Sequence, residues 1–146
     1  MNTNLNKVLL ELKKKRVDFY IISSTDEFLN EYVPIRNMRL KWLTNFSGSN
    51  GIAVVSQKKK YFFTDGRYFV QAKKELHKDF IIHDSSRIGV VEFLKKKIKN
   101  KIFLLDFRFF NKNFLTNLKN TSILSKNKFI HDKTNILDKL WENRPE

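Results

Sequence analysis

The chain has 146 residues, which is enough for one domain with its own core and short for two. Hydrophobic residues make up 41% of it and include 14 Phe, so the composition excludes a disordered tail, while no apolar run approaches the ~20 residues of a membrane-spanning helix. Cys is absent, which excludes a disulfide scaffold, a thiolate metal site and a Cys nucleophile.

A formal net charge of +14 usually points to nucleic acid or to an anionic membrane. Most of the basic residues are Lys, however, in a chain also rich in Asn, Ile and Phe, and AT-rich codons alone produce that composition. The charge is also spread along the chain, with 11 basic and 5 acidic residues in positions 1–60 and 18 and 10 in positions 61–146. The sequence therefore predicts no membrane partner and argues against a nucleic-acid partner. Because it shows no secretory signal, it also predicts a cytoplasmic location.

The first part of the chain alternates helical and extended patterns. Leu5, Val8, Leu9 and Leu12 share one face at helical spacing. In chain order the predicted elements are a helix over 4–16, a strand over 19–22, a loop over 23–26, a brief helix over 27–32 that ends before Pro34, and a helix over 35–45 with Met38, Trp42 and Leu43 facing inward.

The rest of the chain continues the alternation after a polar glycine loop at 45–51. Strands at 52–56 and 61–64 form a hairpin, and Asp65-Gly66 is a tight turn in which Gly66 suits a positive φ. The predicted elements that follow are a helix over 67–77 that packs with Phe69, Val70, Ala72 and Leu76, a strand over 80–82, a helix over 88–98, a strand over 102–105, a helix over 111–118, an edge strand at 122–124 or 128–130, and a last helix that Thr134 caps and that ends at Arg144-Pro145.

This order predicts an α/β fold with a mixed sheet of about five or six strands flanked by helices. The alternation of helices and strands favours parallel pairing, and the hairpin adds an antiparallel pair. Phe107, Phe109 and Phe110 alternate as strand faces do, so we expect them in the core or an interface.

The residues alone predict no self-contained catalytic site. His83-Asp84 and His131-Asp132 are read as loop residues after strands, because no further ligands accompany them at metal-binding spacing. The run Gly48-Ser49-Asn50-Gly51 lacks the first glycine of a nucleophile elbow and the Lys of a phosphate-binding loop. The carboxylates at Asp26, Glu27 and Glu31 fit a solvated helix face.

Several motifs nevertheless occur together in a specific order. They are Arg39-Leu40-Lys41-Trp42-Leu43-Thr44, Asn45-Phe46-Ser47-Gly48-Ser49-Asn50-Gly51, Thr64-Asp65-Gly66-Arg67-Tyr68-Phe69, Gln71-Ala72 and Leu137-Asp138-Lys139-Leu140-Trp141-Glu142-Asn143-Arg144-Pro145. This series resembles the amino-terminal domain of the aminopeptidase P (Xaa-Pro aminopeptidase) family, in the creatinase/prolidase superfamily. Two positions depart from the pattern: Asn45 stands where Gly is usual, and Asn50 where Ala is usual. Asn tolerates the left-handed backbone, so Asn45 need not break the turn.

The resemblance implies a ribonuclease-H-like domain over residues 1–133, with 134–146 as a closing helix and the start of a linker. It also implies removal of an N-terminal residue that precedes proline, by two bridged metal ions, usually manganese, in a downstream pita-bread domain. No residue of this chain matches that domain. We therefore expect no catalytic residue, no metal ligand and no bound cofactor here, and no peptidase activity from the chain alone.

The resemblance further implies that this domain helps to assemble a homo-oligomer and forms a wall of the active site, where proline-containing peptides bind. The candidate wall residues are Arg39, Trp42, Phe46, Asp65, Arg67 and Tyr68. The alternative is structural: Asp65 and Arg67 brace a turn while Trp42 and Phe46 pack the core. Two other functions stay open, a stand-alone binding module of the same fold and a basic nucleic-acid-binding domain.

Overall fold

The computed structural model describes residues 3–146, and within them six strands form one mixed sheet. The strands are β1 (Phe19–Ser23), β2 (Ile52–Val55), β3 (Lys60–Thr64), β4 (Phe80–Asp84), β5 (Ile102–Leu105) and β6 (Lys128–His131). They lie in the order β4-β3-β2-β1-β5-β6. β2 is antiparallel to both of its neighbours, and the remaining three pairs are parallel. The predicted α/β fold with a mixed sheet is confirmed.

Six helices pack on this sheet in the described part of the chain. They are α1 (Thr3–Lys15), α2 (Arg39–Thr44), α3 (Phe69–Glu75), α4 (Val90–Lys97), α5 (Lys112–Ser125) and α6 (Ile136–Leu140). α1, α2 and α6 contact one another, and α4 contacts α5. All five residues of β1 are buried, so the core centres on this strand. Across residues 3–146, no helix is both long enough and apolar enough to cross a membrane.

Two helices predicted between β1 and β2 differ from the structure. Residues 27–32 form turns and not a brief helix, because the Asp26 carboxylate accepts the Phe28 N–H at 3.0 Å and Leu29 adopts a left-handed φ of 58°. The helix predicted over 35–45 is interrupted at Met38, whose ψ of 64° is not helical. Only a 3-10 turn at Ile35–Asn37 and the short α2 remain.

The segment after β3 also departs from the prediction. Gly66 has no positive φ; it begins a 3-10 turn, Gly66–Tyr68, which the Asp65 side chain caps. The regular helix α3 therefore starts two residues later than predicted, and ends at Glu75. Val70 is 67% exposed, so it does not pack as expected.

Three predictions in the last third of the chain are corrected as well. α5 continues through residues 122–124, so the edge strand is the alternative at 128–131. Phe107–Phe109 form a 3-10 turn and not a strand. Asn135 and not Thr134 caps α6, since its side chain accepts the Asp138 N–H, and the helix ends at Leu140.

The sheet gives its two ends different chemistry. All strands except β2 run in one direction, so their carboxyl ends meet at one edge, the carboxyl edge. An aspartate follows or ends each of these five strands and accepts a backbone N–H of the outgoing segment, at 2.8–3.0 Å. These residues are Asp26, Asp65, Asp84, Asp106 and Asp132. The turns at this edge are thus held by side-chain caps and not by backbone pairing alone.

The last helix, α6, packs against α1 and α2. Ile136 and Leu137 are buried. The buried Tyr20 hydroxyl donates to Asp132 at 2.7 Å, and burial, together with this carboxylate, raises the Tyr20 pKa well above its ordinary value. The predicted boundary before residue 134 stays a prediction.

Asp106 tests the capping of the carboxyl edge. Its buried carboxylate accepts from the Arg108 guanidinium at 2.7 Å and from the Asn135 amide at 3.1 Å. We expect Asp106→Asn to lower the free energy of unfolding at pH 7 by about 2 kcal/mol, because hydrogen bonds to a buried charged group are lost. Chemical denaturation at pH 7 measures the loss.

The pH dependence of that loss follows from the pKa of Asp106. Burial raises this pKa, but the bonds from Arg108 and Asn135 outweigh burial and lower it. The stabilisation is therefore complete above the unfolded pKa of about 3.9 and declines as the pH falls through the lower folded value. The difference in the free energy of unfolding between the native chain and Asp106→Asn should become smaller from pH 4 to pH 3. Asp84→Asn is the control, since among the described residues the Asp84 carboxylate accepts hydrogen bonds from Ser86 alone, and an equal effect of the two variants would contradict the assignment.

Candidate functional site

The glycine loop, residues 45–51, links α2 to β2 and lies directly on aromatic rings. A Cβ at Gly48 would stand 2.5 Å from the Phe46 ring and 2.8 Å from the Tyr68 ring. A Cβ at Gly51 would stand 2.6 Å from the Phe62 ring. Glycine is thus required at both positions by close approach, and the loop is held against the core.

The two Asn residues that depart from the family pattern each have a local role. Asn45 ends α2 with a left-handed φ of 72°, which confirms that Asn can replace Gly there. The Asn50 amide donates to the Asp65 carboxylate at 2.6 Å. The side chain that Ala would lack thus joins the glycine loop to the turn after β3.

Hydrogen bonds fix the rest of the loop to neighbouring elements. Ser47 donates its N–H and its hydroxyl to the Glu75 carboxylate, at 2.9 and 2.7 Å. Partial burial raises the pKa of Glu75, but the bonds from Ser47 and Gln71 lower it overall. Ser49 Oγ lies 2.5 Å from the Tyr68 hydroxyl, so the loop cannot shift without breaking contacts to α3 and to the turn before it.

Asp65 and Arg67 form the charged part of the site. The Arg67 guanidinium donates to both carboxylate oxygens of Asp65, at 3.2 and 3.1 Å, and stands over the Tyr68 ring at 5.1 Å. Arg67, with help from Asn50, lowers the pKa of Asp65 to about 2. The Arg67 side chain is 64% exposed, so this cation is available to a second anion.

A cavity of about 240 Å³ is lined in part by Tyr68, over whose ring the Arg67 guanidinium stands. Its lining also includes Phe46, Gly48, Glu31 and Tyr32. We call Ser49, Asp65, Arg67 and Tyr68, together with this cavity, the glycine-loop surface. It offers a cation, a carboxylate, two hydroxyls and an apolar recess within one patch of the carboxyl edge.

Three of the six predicted wall residues, Asp65, Arg67 and Tyr68, belong to the glycine-loop surface, and Phe46 supports it from the core. Arg39 lies elsewhere and is 2% exposed. It donates to Asp138 of α6 at 2.6 and 3.1 Å, and its guanidinium stands 4.5 Å from the Phe109 ring centre. Burial lowers the pKa of Arg39, but the bonds from Asp138 raise it overall. Within this domain Arg39 joins α2 to α6.

Trp42 lies on a separate surface. It is half-buried and stacks on Trp141 with ring centres 5.9 Å apart. Both rings line a second, open cavity of about 570 Å³ that also includes Glu75 and His77. The structure therefore does not bring Trp42 together with Arg67.

Sequence reasoning missed a second copy of the Asp-x-Arg pattern. Asp106 and Arg108 repeat the spacing of Asp65 and Arg67, with the same fork between guanidinium and carboxylate. Asn135 donates to Asp106 as Asn50 donates to Asp65. The repeated letters Asp-x-Arg-aromatic-Phe were the available signal. The first copy is open to solvent at the glycine loop, whereas the Asp106 carboxylate is buried.

The histidines serve local contacts. His83 lies in β4 and stacks on Phe63 of β3 with ring centres 5.1 Å apart. Burial lowers the pKa of His83. His131 accepts the Phe107 N–H at 3.1 Å. Among residues 3–146, no group of three or more His, Asp or Glu is arranged to hold a metal ion.

Comparison with known proteins agrees with this fold. Residues 4–140 match the family described as Creatinase/Prolidase N-terminal domain. The chain belongs to this family. Xaa-Pro aminopeptidase 1 of Dictyostelium discoideum is 28% identical over 152 residues, which cover 98% of the chain and 24% of that protein.

Solved structures of the creatinase/prolidase family share the architecture. The X-prolyl aminopeptidase of Caenorhabditis elegans, described as a cytosolic enzyme with a di-nuclear active site, superposes with a TM-score of 0.89 at 24% identity and covers 98% of this chain and 26% of that one. The N-terminal domain of the cytoplasmic peptidase PepQ from Mycobacterium tuberculosis superposes with a TM-score of 0.74 at 18% identity, over 97% of this chain and all of that one. The chain thus spans about a quarter of the Xaa-Pro aminopeptidases it matches and corresponds to their N-terminal domain.

The glycine loop of this creatinase-type domain gives a direct test. We expect Gly51→Ala to lower the free energy of unfolding by about 1–3 kcal/mol, because the added methyl overlaps the buried Phe62 ring. Gly66→Ala is the matched control: nothing lies within 4 Å of its Cβ position and its φ is not positive. Thermal unfolding of both variants measures the difference, and equal transition temperatures would show that the loop does not rest on the core.

Proposed function

We propose that this domain is the non-catalytic amino-terminal part of an Xaa-Pro aminopeptidase, a hydrolase that removes the N-terminal residue preceding proline. The observation that carries the proposal is the match to the N-terminal quarter of such enzymes. Within residues 3–146, no group of three or more His, Asp or Glu could hold a metal ion. The two divalent metal ions, manganese or another, would be held by a downstream catalytic domain, where they activate a water and polarise the scissile carbonyl.

The glycine-loop surface is the part of the domain that we assign to the active-site wall. Arg67 is exposed and already donates to one carboxylate through Nε and Nη2, so its remaining donors suit a second anion. That second anion would be a peptide carboxylate or an acidic residue of the catalytic domain. Asp65 orients the guanidinium, and Tyr68 lies under it. Arg39 keeps a positioning role, since its bonds to Asp138 place α2 and therefore the start of the loop.

Assembly is a separate part of the proposal. The half-buried Trp42–Trp141 surface is a candidate for contact with the downstream domain or with a second subunit, because aromatic side chains favour such contacts. The enzyme would then act as a cytoplasmic homo-oligomer on proline-containing peptides. A stand-alone module of this fold would use the same surfaces without peptidase activity.

The absence of catalysis in the chain alone can be measured. We expect the purified 146-residue chain with Mn²⁺ to release no N-terminal residue from an Xaa-Pro peptide above the rate without protein. The positive control is the full-length protein under the same conditions. Metal-dependent release by the 146-residue chain would overturn the proposal.

Arg67→Ala in the full-length protein distinguishes a wall residue from a turn brace. We expect kcat/KM to fall about tenfold or more, because a charge-assisted hydrogen bond to an anion is lost, while the transition temperature changes little. Arg87→Ala is the control, since Arg87 is an exposed arginine of the same edge outside the glycine-loop surface. Unchanged kinetics with a lower transition temperature would show that Arg67 only braces the turn.

A further inference from the structure

Lysines crowd the end of the sheet opposite the carboxyl edge. Because five strands share one direction, the turns that precede them meet at this amino end, together with the β2–β3 hairpin. Nearly half of the 29 basic residues of the chain lie in these turns or at the adjoining ends of helices and strands. They are Lys13, Lys14, Lys15, Arg16, Lys58, Lys59, Lys60, Lys78, Lys97, Lys99, Lys101, Lys126 and Lys128. We call this set the basic edge.

The charge of the basic edge is largely unbalanced. All of its members are exposed except Lys60, which is half-buried. Three carboxylates lie near them: Glu11, which contacts Lys14; Asp18, which accepts the Ile102 N–H at 2.8 Å; and Asp79, which lies 3.3 Å from His77. Of the basic-edge lysines, Lys14 has an ion pair, a 3.8 Å contact to Glu11.

The carboxyl edge is the opposite case. Five aspartates cap its turns, and three of its arginines pair with carboxylates: Arg67 with Asp65, Arg108 with Asp106, and Arg39 with Asp138. The net charge of +14 is therefore concentrated at one end of the molecule. The charge is spread along the sequence but gathers at one end of the fold, because lysines that are distant in the sequence become neighbours when parallel strands align their starting turns.

We propose that the basic edge is a binding surface for the phosphate backbone of a nucleic-acid duplex, independent of base sequence. Lys ammonium groups attract phosphates as point charges and carry no bidentate code for a base. No aromatic residue occurs in these turns, so stacking on single-stranded bases has no platform there. A duplex fits this chemistry better than a single strand.

An anionic membrane is the competing polyanion, and the exposed apolar residues argue against it. Stable membrane association takes an apolar or lipid anchor in addition to basic charge. The exposed large hydrophobic side chains of the described chain lie outside the basic-edge turns, although Leu124 and Ile130 are each two residues from a basic-edge lysine. The size also suits a duplex: six strands about 4.8 Å apart make an edge of about 24 Å, the length of about seven base pairs.

The test compares two charge-matched variants of the 146-residue chain. The edge variant is Lys15→Gln, Lys58→Gln, Lys97→Gln and Lys99→Gln, and the control variant is Lys41→Gln, Lys112→Gln, Lys133→Gln and Lys139→Gln, all exposed positions. Each set lowers the net charge from +14 to +10. Fluorescence anisotropy measures binding to a labelled 24-base-pair DNA duplex and to the RNA duplex of the same sequence, across a salt series. Circular dichroism checks that both variants fold.

We expect the unmodified chain to bind a duplex with a Kd of roughly 1–100 µM near 0.1 M salt, and to weaken steeply as salt rises. The edge variant should bind about tenfold or more weakly, and the slope of log Kd against log salt should fall by about 3. The control variant should change Kd less than threefold. Comparison of the two duplexes shows whether DNA or RNA is preferred.

Three results would overturn the proposal. One is equal weakening by the two variants, which would mean that net charge alone attracts the duplex. Another is the absence of duplex binding at 0.1 M salt. The third is tighter binding to vesicles of phosphatidylserine and phosphatidylcholine than to either duplex, which would identify a membrane surface as the partner.

Discussion

An aspartate follows or ends each of the five strands that share one direction, and its carboxylate accepts a backbone N–H of the turn at the carboxyl edge. These caps satisfy backbone N–H groups that the sheet cannot reach, and each one sets the direction of the segment that leaves its strand. Asp65 and Asp106 each also accept two hydrogen bonds from the guanidinium of the arginine two residues later. The two turns can therefore present a guanidinium at a fixed place, which a loop of exposed backbone could not do.

The same constraint divides the molecule into two chemically distinct ends. At the carboxyl edge, Arg67 and Arg108 pair with capping aspartates, and the glycine loop is held on Phe46 and Phe62 with little freedom to move. At the amino end, the lysines remain exposed and mostly unmatched. A rigid, charge-balanced surface suits contact with a fixed partner such as a catalytic domain, whereas a diffuse cationic surface suits a polyanion whose position is not fixed.

The sequence predicted the sheet and most of its helices because their apolar spacing is regular, as in α1 and β1. The prediction was wrong where a single side chain determines the backbone conformation. Asp26 capped a turn in place of a helix, and Asn135 capped α6 in place of Thr134. At the site, the motif around Asp65 marked the surface, but only three-dimensional packing shows that Arg39 is buried against Asp138. The segregation of charge was likewise invisible, because it arises from strand direction and not from local composition.

We propose that this domain works as one part of a larger metallopeptidase. The intact mass of the endogenous protein that carries this sequence, captured from its source cells with an antibody against the domain, tests this proposal. We expect a mass several times the 17.5 kDa of the 146 residues, since the chain spans about a quarter of the Xaa-Pro aminopeptidases of Dictyostelium discoideum and Caenorhabditis elegans. A mass near 17.5 kDa would contradict the proposal and would mean that the chain acts as an isolated domain.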